Sequence, residues 1–280
     1  MDFWKMNGAG NDFIVLNDMA GALPDEKLPY IAKALCKRHL SIGADGMMVV
    51  RPARQGGDYR MLFFNSDGSV GEMCGNGARC ICRYGYEVGL AGETQRVETM
   101  SGTVTGKRID DRHYRVRLNP PTVMEPEKTV EVDGKLRTCA YVVLGSPGLP
   151  HAVTHYEGLE HADKEARRAL GKTLRYHPAF PKGANVTFYD FIGSDSLRAV
   201  TYERGVEDFT YACGTGTGSV AAVLTELGKI SGKAMRADMA GGSLYIDVTS
   251  TGEGVTDIYL TGPTNIVCKG VLTDEELVLP

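Results

Sequence analysis

The 280-residue sequence contains no apolar run that approaches the roughly 20 residues of a membrane-spanning helix. Its opening, MDFWKMNGAGND, lacks the basic stretch and the apolar run of a secretory signal peptide. Neither sign of charge dominates, since there are 31 basic and 35 acidic residues, and the basic ones form no stripe along the sequence. We therefore expect no membrane insertion, no secretion and no binding to nucleic acid.

Paired cysteine motifs are also missing, although the sequence has seven cysteines. An odd number of cysteines in a chain this long does not indicate a disulfide framework, so we expect a reduced, cytoplasmic protein. Cys74, Cys80 and Cys82 are close enough in sequence to suggest a zinc site. No CxxC pair supplies a fourth ligand at a familiar spacing, and we therefore expect no metal.

Two short segments of the sequence resemble each other. Residues 72–79 read EMCGNGAR, and residues 211–218 read YACGTGTG. In each segment a Cys-Gly-polar-Gly stretch opens a helical run, which is followed by a glycine, as is common after a helix end. The two cysteines, Cys74 and Cys213, lie almost half the chain apart. This spacing predicts an internal duplication, with one cysteine-helix unit in each of two similar lobes.

Short apolar runs bounded by turn-forming residues predict many strands, and two further helices are expected at residues 28–37 and 162–170. The expected strand segments are 13–16, 47–50, 60–64, 103–105, 129–132, 140–144, 186–189, 197–202 and 244–248. Many strands with few helices favour an α+β fold over a doubly wound one. The tandem prolines at 120–121 make the best candidate for a linker.

A cysteine directly before a helix has distinctive chemistry. The positive end of the helix favours the thiolate, so we expect the pKa of such a thiol to be lowered. The first N–H groups of the helix, at Gly75 and Asn76 or at Gly214 and Thr215, can bind a carboxylate. If both helices point at one carboxylate, the two thiols flank it from opposite sides.

Two flanking thiols suit inversion of a carbon next to a carboxylate. One thiolate removes the α-proton from one face, and the other thiol returns a proton to the opposite face. Positioned acid–base groups accelerate such a step by roughly 10²–10⁴-fold, so preorganised dipoles and exclusion of water must supply the rest. The alternative is that both cysteines are small buried residues at glycine turns, which explains one such unit better than a matched pair.

Several motifs, taken in order, resemble the diaminopimelate epimerase family. They are NGAGNDF at 7–13, FNSDG at 64–68, MCGNGARC at 73–80, YERG at 202–205 and ACGTG at 212–216. The resemblance extends from Met1 to Gly270. It implies a cofactor-independent, cytoplasmic amino-acid epimerase of lysine and cell-wall synthesis that works as a homodimer and converts LL-diaminopimelate to the meso form.

The resemblance also implies an architecture. We expect two pseudo-symmetric α+β lobes, each a small β-barrel-like sheet wrapped around a central helix. The first lobe would comprise residues 1–118 and about 262–280, and the second lobe residues 119–261.

Matched position by position, the same resemblance implies the site. Cys74 and Cys213 correspond to the catalytic cysteines, and His151 and Glu203 to polar groups beside the thiols. The residues expected to bind the substrate are Asn11, Asn65, Gly75, Asn76, Asn185, Glu203, Arg204, Gly214 and Thr215. Asn65, Asn185 and Arg204 correspond to contacts with the far end of the substrate. Plainer interpretations remain for some of these residues. Asn11 and Asn65 can be turn formers, Arg204 a surface charge and His151 a structural residue.

One position departs from the family pattern. The family usually has Gly-Asn-Pro-His where this sequence has Gly148-Leu149-Pro150-His151. Leu149 cannot form a side-chain hydrogen bond, and a buried polar group left without a partner costs about 1–3 kcal/mol. The neighbouring stretch 145–148 also differs, so another group can compensate. The substrate is therefore either diaminopimelate or another amino acid, such as histidine or a basic one.

Three further alternatives are open from the sequence. A proline racemase also pairs Cys-Gly units but tends to have histidine where this sequence has Asn76, and it lacks the Gly-Asn-Asp-Phe opening. The isomerase branch of the same fold lacks the thiol pair. A non-catalytic, two-lobed binder of amino acids would use the helix ends and would leave the thiols without a purpose.

Overall fold

The computed structural model of the protein describes residues 1–71, 74–146, 148–273 and 275. Glu72 and Met73 of the first Cys-Gly segment, and Pro147 of the 145–148 stretch, lie outside the described residues. The strands are β1 Asp2–Gly8, β2 Asn11–Asn17, β3 Gly46–Arg51, β4 Tyr59–Asn65, β5 Thr94–Thr99, β6 Gly102–Arg108, β7 His113–Leu118, β8 Pro121–Val132, β9 Lys135–Leu144, β10 Leu149–His155, β11 Asn185–Gly193, β12 Ser196–Tyr202, β13 Met235–Met239, β14 Gly242–Thr251, β15 Gly254–Pro263 and β16 Asn265–Val271. The α-helices are α1 Leu28–Leu35, α2 Gly75–Glu87, α3 Lys164–Arg175 and α4 Gly214–Glu226. The expected α+β class is confirmed.

The chain divides into two compact units. Unit 1 comprises Met1–Val116 and Gly262–Pro280, and unit 2 comprises Arg117–Thr261. The strands of unit 1 follow the order β16-β1-β2-β3-β4-β5-β6-β7, and those of unit 2 the order β8-β9-β10-β11-β12-β13-β14-β15.

The strand pairing of unit 1 is repeated in unit 2. Along the order given above, each unit has two antiparallel pairs, then a parallel, an antiparallel and a parallel pair, and finally two antiparallel pairs. Each parallel pair is joined through a helix, α1 and α2 in unit 1 and α3 and α4 in unit 2. The topology therefore repeats, as the duplicated Cys-Gly segments predict. The units differ at one edge of the strand order, where β16, which comes after all other strands in sequence, takes the position in unit 1 that β8 takes in unit 2.

In each unit, the second helix is surrounded by strands. Helix α2 contacts β1, β2 and β6, and helix α4 contacts β8, β9, β10, β11 and β14. Because β2 and β6 are separated by three other strands in the order of unit 1, the sheet must curve around α2 for both to reach it. The same holds for α4, whose residues 220–224 are almost completely buried. A helix that is apolar on all sides is suited to such a central position.

The first helix of each unit packs elsewhere on the sheet. Helix α1 lies in an apolar cluster with Ile14, Leu16, Met47 and Val49 from β2 and β3. Phe13, which alternates with Ile14 along β2, lies instead next to Gly77 of α2. Since successive strand residues face opposite sides, the two helices of unit 1 cover opposite faces of the sheet. Within the described part of the chain, no helix has both the length and the apolar character to cross a membrane.

Candidate active site

Each unit presents a cysteine at the start of its surrounded helix. Cys74 precedes α2 with φ −128° and ψ 116°, and Cys213 precedes α4 with φ −118° and ψ 104°. Both carbonyls accept the first hydrogen bonds of their helices, from Ala78 at 2.8 Å and from Thr217 at 3.0 Å. The predicted position of both cysteines at helix N-termini is therefore confirmed. All seven cysteines are among the described residues, and none of them is in a disulfide.

In unit 1, two asparagine side chains beside Cys74 are joined by hydrogen bonds. Asn76, in the first turn of α2, donates from Nδ2 to Oδ1 of Asn11 at 2.6 Å. Asn11 donates in turn from its own Nδ2 to Oδ2 of Asp45 at 3.1 Å. The Oδ1 atom of Asn76 accepts a hydrogen bond from Nη2 of Arg79 at 2.8 Å. This chain of bonds fixes which end of each amide is the donor and which is the acceptor.

The position of Asn11 depends on a close approach between β1 and α2. A Cβ atom on Gly8 would lie 2.9 Å from both the carbonyl oxygen of Asn76 and the Sγ atom of Cys80. The turn that follows uses positive φ angles, 53° at Ala9 and 92° at Gly10. Glycine at position 8 thus allows β1 to lie against α2 and brings Asn11 within reach of Asn76.

Asn65 lies at the end of β4, opposite Gly46 at the start of β3. It is exposed, and its Nδ2 donates to Oγ of Ser69 at 2.9 Å within the turn that follows β4. Its neighbour Ser66 donates its backbone N–H to the carbonyl of Asp45. The structure therefore brings Asn65 to the same strand ends as Asp45 and Asn11, but its side-chain bond to Ser69 is that of a turn former.

In unit 2, the thiol of Cys213 contacts the first turn of α4. Its Sγ accepts the N–H of Gly216 at 3.3 Å and lies 3.6 Å from Oγ1 of Thr215. A Cβ atom on Gly216 would lie 3.2 Å from this sulfur and 2.6 Å from Oγ1 of Thr187 on β11. Only glycine leaves room for the contact.

The expected lowering of the thiol pKa is wrong for Cys213. Burial raises the pKa of this thiol, and the negative charge of Glu203 raises it further. The hydrogen bonds from Thr215 and Gly216 act in the opposite direction but are outweighed. Cys213 is therefore protonated at neutral pH in this structure, because removal from water penalises the thiolate more than the helix N-terminus stabilises it.

His151 and Asn185 are direct neighbours on the paired strands β10 and β11. The Oδ1 atom of Asn185 accepts the N–H of Arg204 at 2.8 Å, and its Nδ2 donates to the carbonyl of Pro150 at 3.4 Å. His151 is completely buried, and neither ring nitrogen has a hydrogen-bond partner among the described residues. Burial lowers the pKa of His151 to about 3, so its imidazole is neutral at pH 7.

Glu203 and Arg204 directly follow β12. Glu203 is half-buried and accepts the hydroxyl of Thr210 at 2.7 Å. Arg204 is exposed, and its Nη1 donates to the carbonyl of Lys182 at 3.1 Å. Leu149 is half-buried at the first position of β10, opposite Leu144. Unit 2 thus gathers Cys213, His151, Asn185, Glu203 and Arg204, while Cys74, Asn11, Asn65 and Asn76 belong to unit 1.

Two residues beside this set were not predicted from the sequence. Asp45 orients Asn11, and Arg79 orients Asn76. Arg79 is part of the quoted motif at 73–80, and a charged residue among glycine, alanine and cysteine at a helix start was a signal that could have singled it out. Across the described residues, no group of three or more His, Cys, Asp or Glu side chains is arranged to hold a metal ion.

Comparisons of the sequence with known proteins agree on one family. The family model described as diaminopimelate epimerase matches residues 3–124 and 143–267. A diaminopimelate epimerase of Aquifex aeolicus is 38% identical over 292 residues, covering 99% of this chain and 99% of that relative. One of Archaeoglobus fulgidus is 38% identical over 288 residues, covering 98% of this chain and 97% of that relative.

Solved structures share the fold at low sequence identity. A hydroxyproline epimerase from Agrobacterium vitis has a TM-score of 0.72 and 16% identity, covering 99% of this chain and 94% of its own. A phenazine biosynthesis protein from Bacillus anthracis has a TM-score of 0.70 and 15% identity, covering 97% of this chain and 99% of its own. Because the family match spans nearly the whole chain and the relatives are covered almost completely, the chain belongs to the diaminopimelate epimerase family and is an isomerase of the epimerase type.

Proposed function

We propose that this protein converts LL-diaminopimelate to meso-diaminopimelate, a step in lysine and peptidoglycan synthesis, without pyridoxal phosphate or metal. The observation that carries the proposal is the repeated unit: each of two topologically equivalent halves places one cysteine at the N-terminus of its surrounded helix. Membership of the family and the names of the relatives support diaminopimelate as the substrate.

The proposed chemistry uses both thiols on one α-carbon. The thiolate of one cysteine takes the α-proton and becomes a thiol. The thiol of the other cysteine gives its proton to the opposite face of the carbanion and becomes a thiolate. One C–H bond is broken and one is formed, so no oxidant, reductant or cofactor is consumed. Two acid–base groups are required because a single base tends to return the proton to the face from which it came.

The residues around the thiols have proposed roles in this step. The N–H groups of Gly75, Gly214 and Thr215 at the helix starts bind the α-carboxylate and stabilise the negative charge that develops on it. The linked amides of Asn11 and Asn76 hold the amino and carboxylate groups of the reacting centre.

In unit 2, His151 and Glu203 assist proton exchange at Cys213. The carboxylate of Glu203 raises the pKa of the Cys213 thiol. It therefore favours the protonated thiol, which is the form that donates a proton. Because burial lowers the pKa of His151 to about 3, its imidazole stays neutral at pH 7 and assists by accepting or donating a hydrogen bond rather than by taking up a proton.

The far end of the substrate is assigned to Asn65, Asn185 and Arg204. Asn185 supports this role, because its hydrogen bond to the backbone of Arg204 fixes the start of the loop that carries the guanidinium. A guanidinium suits a second carboxylate, and the two amides suit a second amino group.

A second candidate function is a racemase for another amino acid, such as histidine or a basic one. The observation that favours it is Leu149, whose apolar side chain stands at the start of β10 beside Pro150 and His151. A leucine there removes a polar partner from the region assigned to the distal amino acid group.

The decisive experiment is exchange of the α-proton for deuterium in D₂O, followed by NMR on reduced protein. LL- and meso-diaminopimelate are compared with a panel of single amino acids, and C74S and C213S are measured beside the parent. Exchange of diaminopimelate that is lost in both variants is expected. Exchange of a different amino acid alone would support the proposed mechanism and contradict the proposed substrate. The variant L149N would then be tested for a gain of diaminopimelate exchange. Absence of exchange with every compound would contradict the enzyme assignment for this substrate class.

The proposal also includes a cytoplasmic location and a homodimer. Thiol chemistry requires cysteines that are kept reduced, and the cytoplasm provides that condition. The homodimer rests on the family resemblance, and light scattering of the purified chain tests it. A mass near 30.3 kDa would contradict the dimer, and a mass of about twice that value would support it.

A further inference from the structure

Arg79 is a buried arginine close to Cys74 that has no carboxylate partner among the described residues. Its side chain is completely buried, and its Nε atom has no hydrogen-bond partner in the part of the chain that the structure describes. The two acceptors that it reaches are neutral: Oδ1 of Asn76 at 2.8 Å and the carbonyl of Gly75 at 3.3 Å. Burial lowers the pKa of Arg79 to about 10, which still leaves it charged at pH 7.

This placement is unfavourable for the fold alone. A buried charge normally has an ion-pair partner, because the loss of water is otherwise uncompensated. The side chains of helix residues point toward the helix N-terminus, so the guanidinium returns to the first turn of α2, where the helix dipole is positive. A cation at this end of a helix is destabilising. Such a local conflict is expected where function requires it.

Unit 2 provides an internal comparison. Gly218 follows Cys213 by the same number of residues as Arg79 follows Cys74. A Cβ atom on Gly218 would lie 2.7 Å from Cδ1 of Leu118 and 3.3 Å from Cγ2 of Ile258, so apolar side chains fill the space there. A helix surrounded by the same arrangement of strands therefore does not require a buried cation at this position.

Two effects of Arg79 concern the site directly. Its donation to Oδ1 of Asn76 turns the Nδ2 end of that amide toward Asn11. Its charge also acts on the thiols of Cys80 and Cys74, which are the titratable groups that raise the pKa of Arg79. Burial raises the pKa of Cys80 to about 12, so Cys80 stays protonated and Cys74 is the thiol that benefits. The interaction is mutual, and a thiolate at Cys74 is stabilised by the arginine.

We propose that Arg79 is a positioning residue for the isomerase reaction: its guanidinium holds the Asn76 amide with its N–H groups toward Asn11 and the substrate, and its charge favours the thiolate of Cys74. The proposal rests on the function proposed above for Cys74 and Asn76. It makes the two cysteines electrostatically unequal, since the cation of Arg79 acts on Cys74 and the carboxylate of Glu203 acts on Cys213.

The test measures the titration of Cys74 without any substrate. In a C213S background, the rate of alkylation by iodoacetamide is followed against pH, and mass spectrometry of the peptide that contains Cys74 separates it from the exposed Cys268. R79Q removes the charge and is expected to raise the pKa of Cys74 by about one unit, the low end of the effect of a nearby opposite charge. R79K keeps the charge and is expected to leave that pKa close to its parent value. A folded R79Q with an unchanged titration of Cys74 would overturn the proposal.

Activity separates the two effects. In a protein with Cys213 intact, R79K replaces the guanidinium whose N–H groups orient Asn76. We expect kcat/KM of this variant to fall about tenfold. The control is R83Q on the same helix, whose guanidinium pairs with Glu87 and the carbonyl of Thr264 and which we expect to retain activity and the parent titration. If R79Q does not fold, the activity of R79K tests the proposal instead. A kcat/KM of R79K within twofold of the parent value would overturn the proposal. Because the titration uses no substrate, a wrong substrate assignment leaves its result unaffected.

Discussion

At the scale of single residues, the two cysteines have the same backbone geometry and different charges beside them. The motifs predicted that both cysteines precede helices, because the Cys-Gly-polar-Gly pattern is local. The sequence could not predict the pKa of Cys213, because that value depends on burial and on Glu203, which joins the site through tertiary structure. Residue identity therefore predicted a candidate site, and the environment decides the protonation state of Cys213.

The carboxylate of Glu203 leads to a first prediction. In a C74S background, E203Q is expected to lower the pKa of Cys213 by roughly one unit, because the charge that opposes the thiolate is removed. Alkylation of Cys213 against pH measures this. E226Q, at the far end of α4, is the control and should leave the titration unchanged. A pKa that stays constant or rises in E203Q would contradict the prediction.

A second prediction concerns His151 and acid stability. Its folded pKa of about 3 is below its ordinary value of 6.5, so the unfolded chain binds a proton more readily than the folded one between these values. The contribution to stability is fully present above pH 6.5 and is lost as the pH falls, at up to about 1.4 kcal/mol per pH unit.

Urea unfolding at pH 7 and pH 5 measures this loss. H151Q is expected to reduce the difference in unfolding free energy between the two pH values by about 2 kcal/mol. H155Q is the control, since His155 is exposed on the same strand. An equal pH dependence in H151Q and the parent protein would exclude a buried, neutral His151.

At the scale of elements, strands with continuous apolar runs were predictable, and others were not. Each expected segment lies within an observed strand, for example 47–50 within β3 and 186–189 within β11. The strand β10 was missed because LPHAVTH carries a proline and two histidines, and β16 was missed because it is half-exposed and polar at several positions. The parallel pairs, such as β2 with β3, also have no local signal, because a helix separates their strands in sequence.

The close contact at the start of α4 gives an element-scale prediction. G216A places a methyl group 2.6 Å from Oγ1 of Thr187 and 3.2 Å from the sulfur of Cys213, so the helix start must shift. We expect a loss of about 1–3 kcal/mol in unfolding free energy and a fall in kcat larger than the change in KM. G252A is the control, since nothing lies within 4 Å of its added Cβ. Stability and kcat unchanged in G216A would show that the contact is unimportant.

At the scale of the whole molecule, the two units repeat one topology. The first strand in the order of unit 1 is β16, which comes after all other strands in sequence. The duplication was predictable from the matched cysteine segments. The family resemblance implied that residues of about 262–280 belong to the first lobe, but no property of residues 265–271 themselves identifies them as partners of β1. Long-range pairing of this kind is a property of the complete sheet.

Removal of β16 tests how far unit 1 depends on it. Truncation after Pro263 leaves β1 as an unpaired edge, and we expect faster hydrogen exchange in β1 and β2 while β9 to β12 keep their protection. Truncation after Leu272 keeps β16 and is the control. Equal loss of protection in both units would mean that the two units unfold together.

The displaced strand has a consequence for the order of events during translation. Ribosomes make the chain from its N-terminus, and domains generally fold as they emerge. Every strand of unit 2 has been synthesised before β16, although unit 1 is begun first. The sheet of unit 1 therefore stays incomplete until unit 2 has been synthesised. Until then, the edge of β1 that pairs with β16 has no partner strand. During that interval β1 is exposed to pairing with other chains, and nascent molecules are most vulnerable to aggregation there.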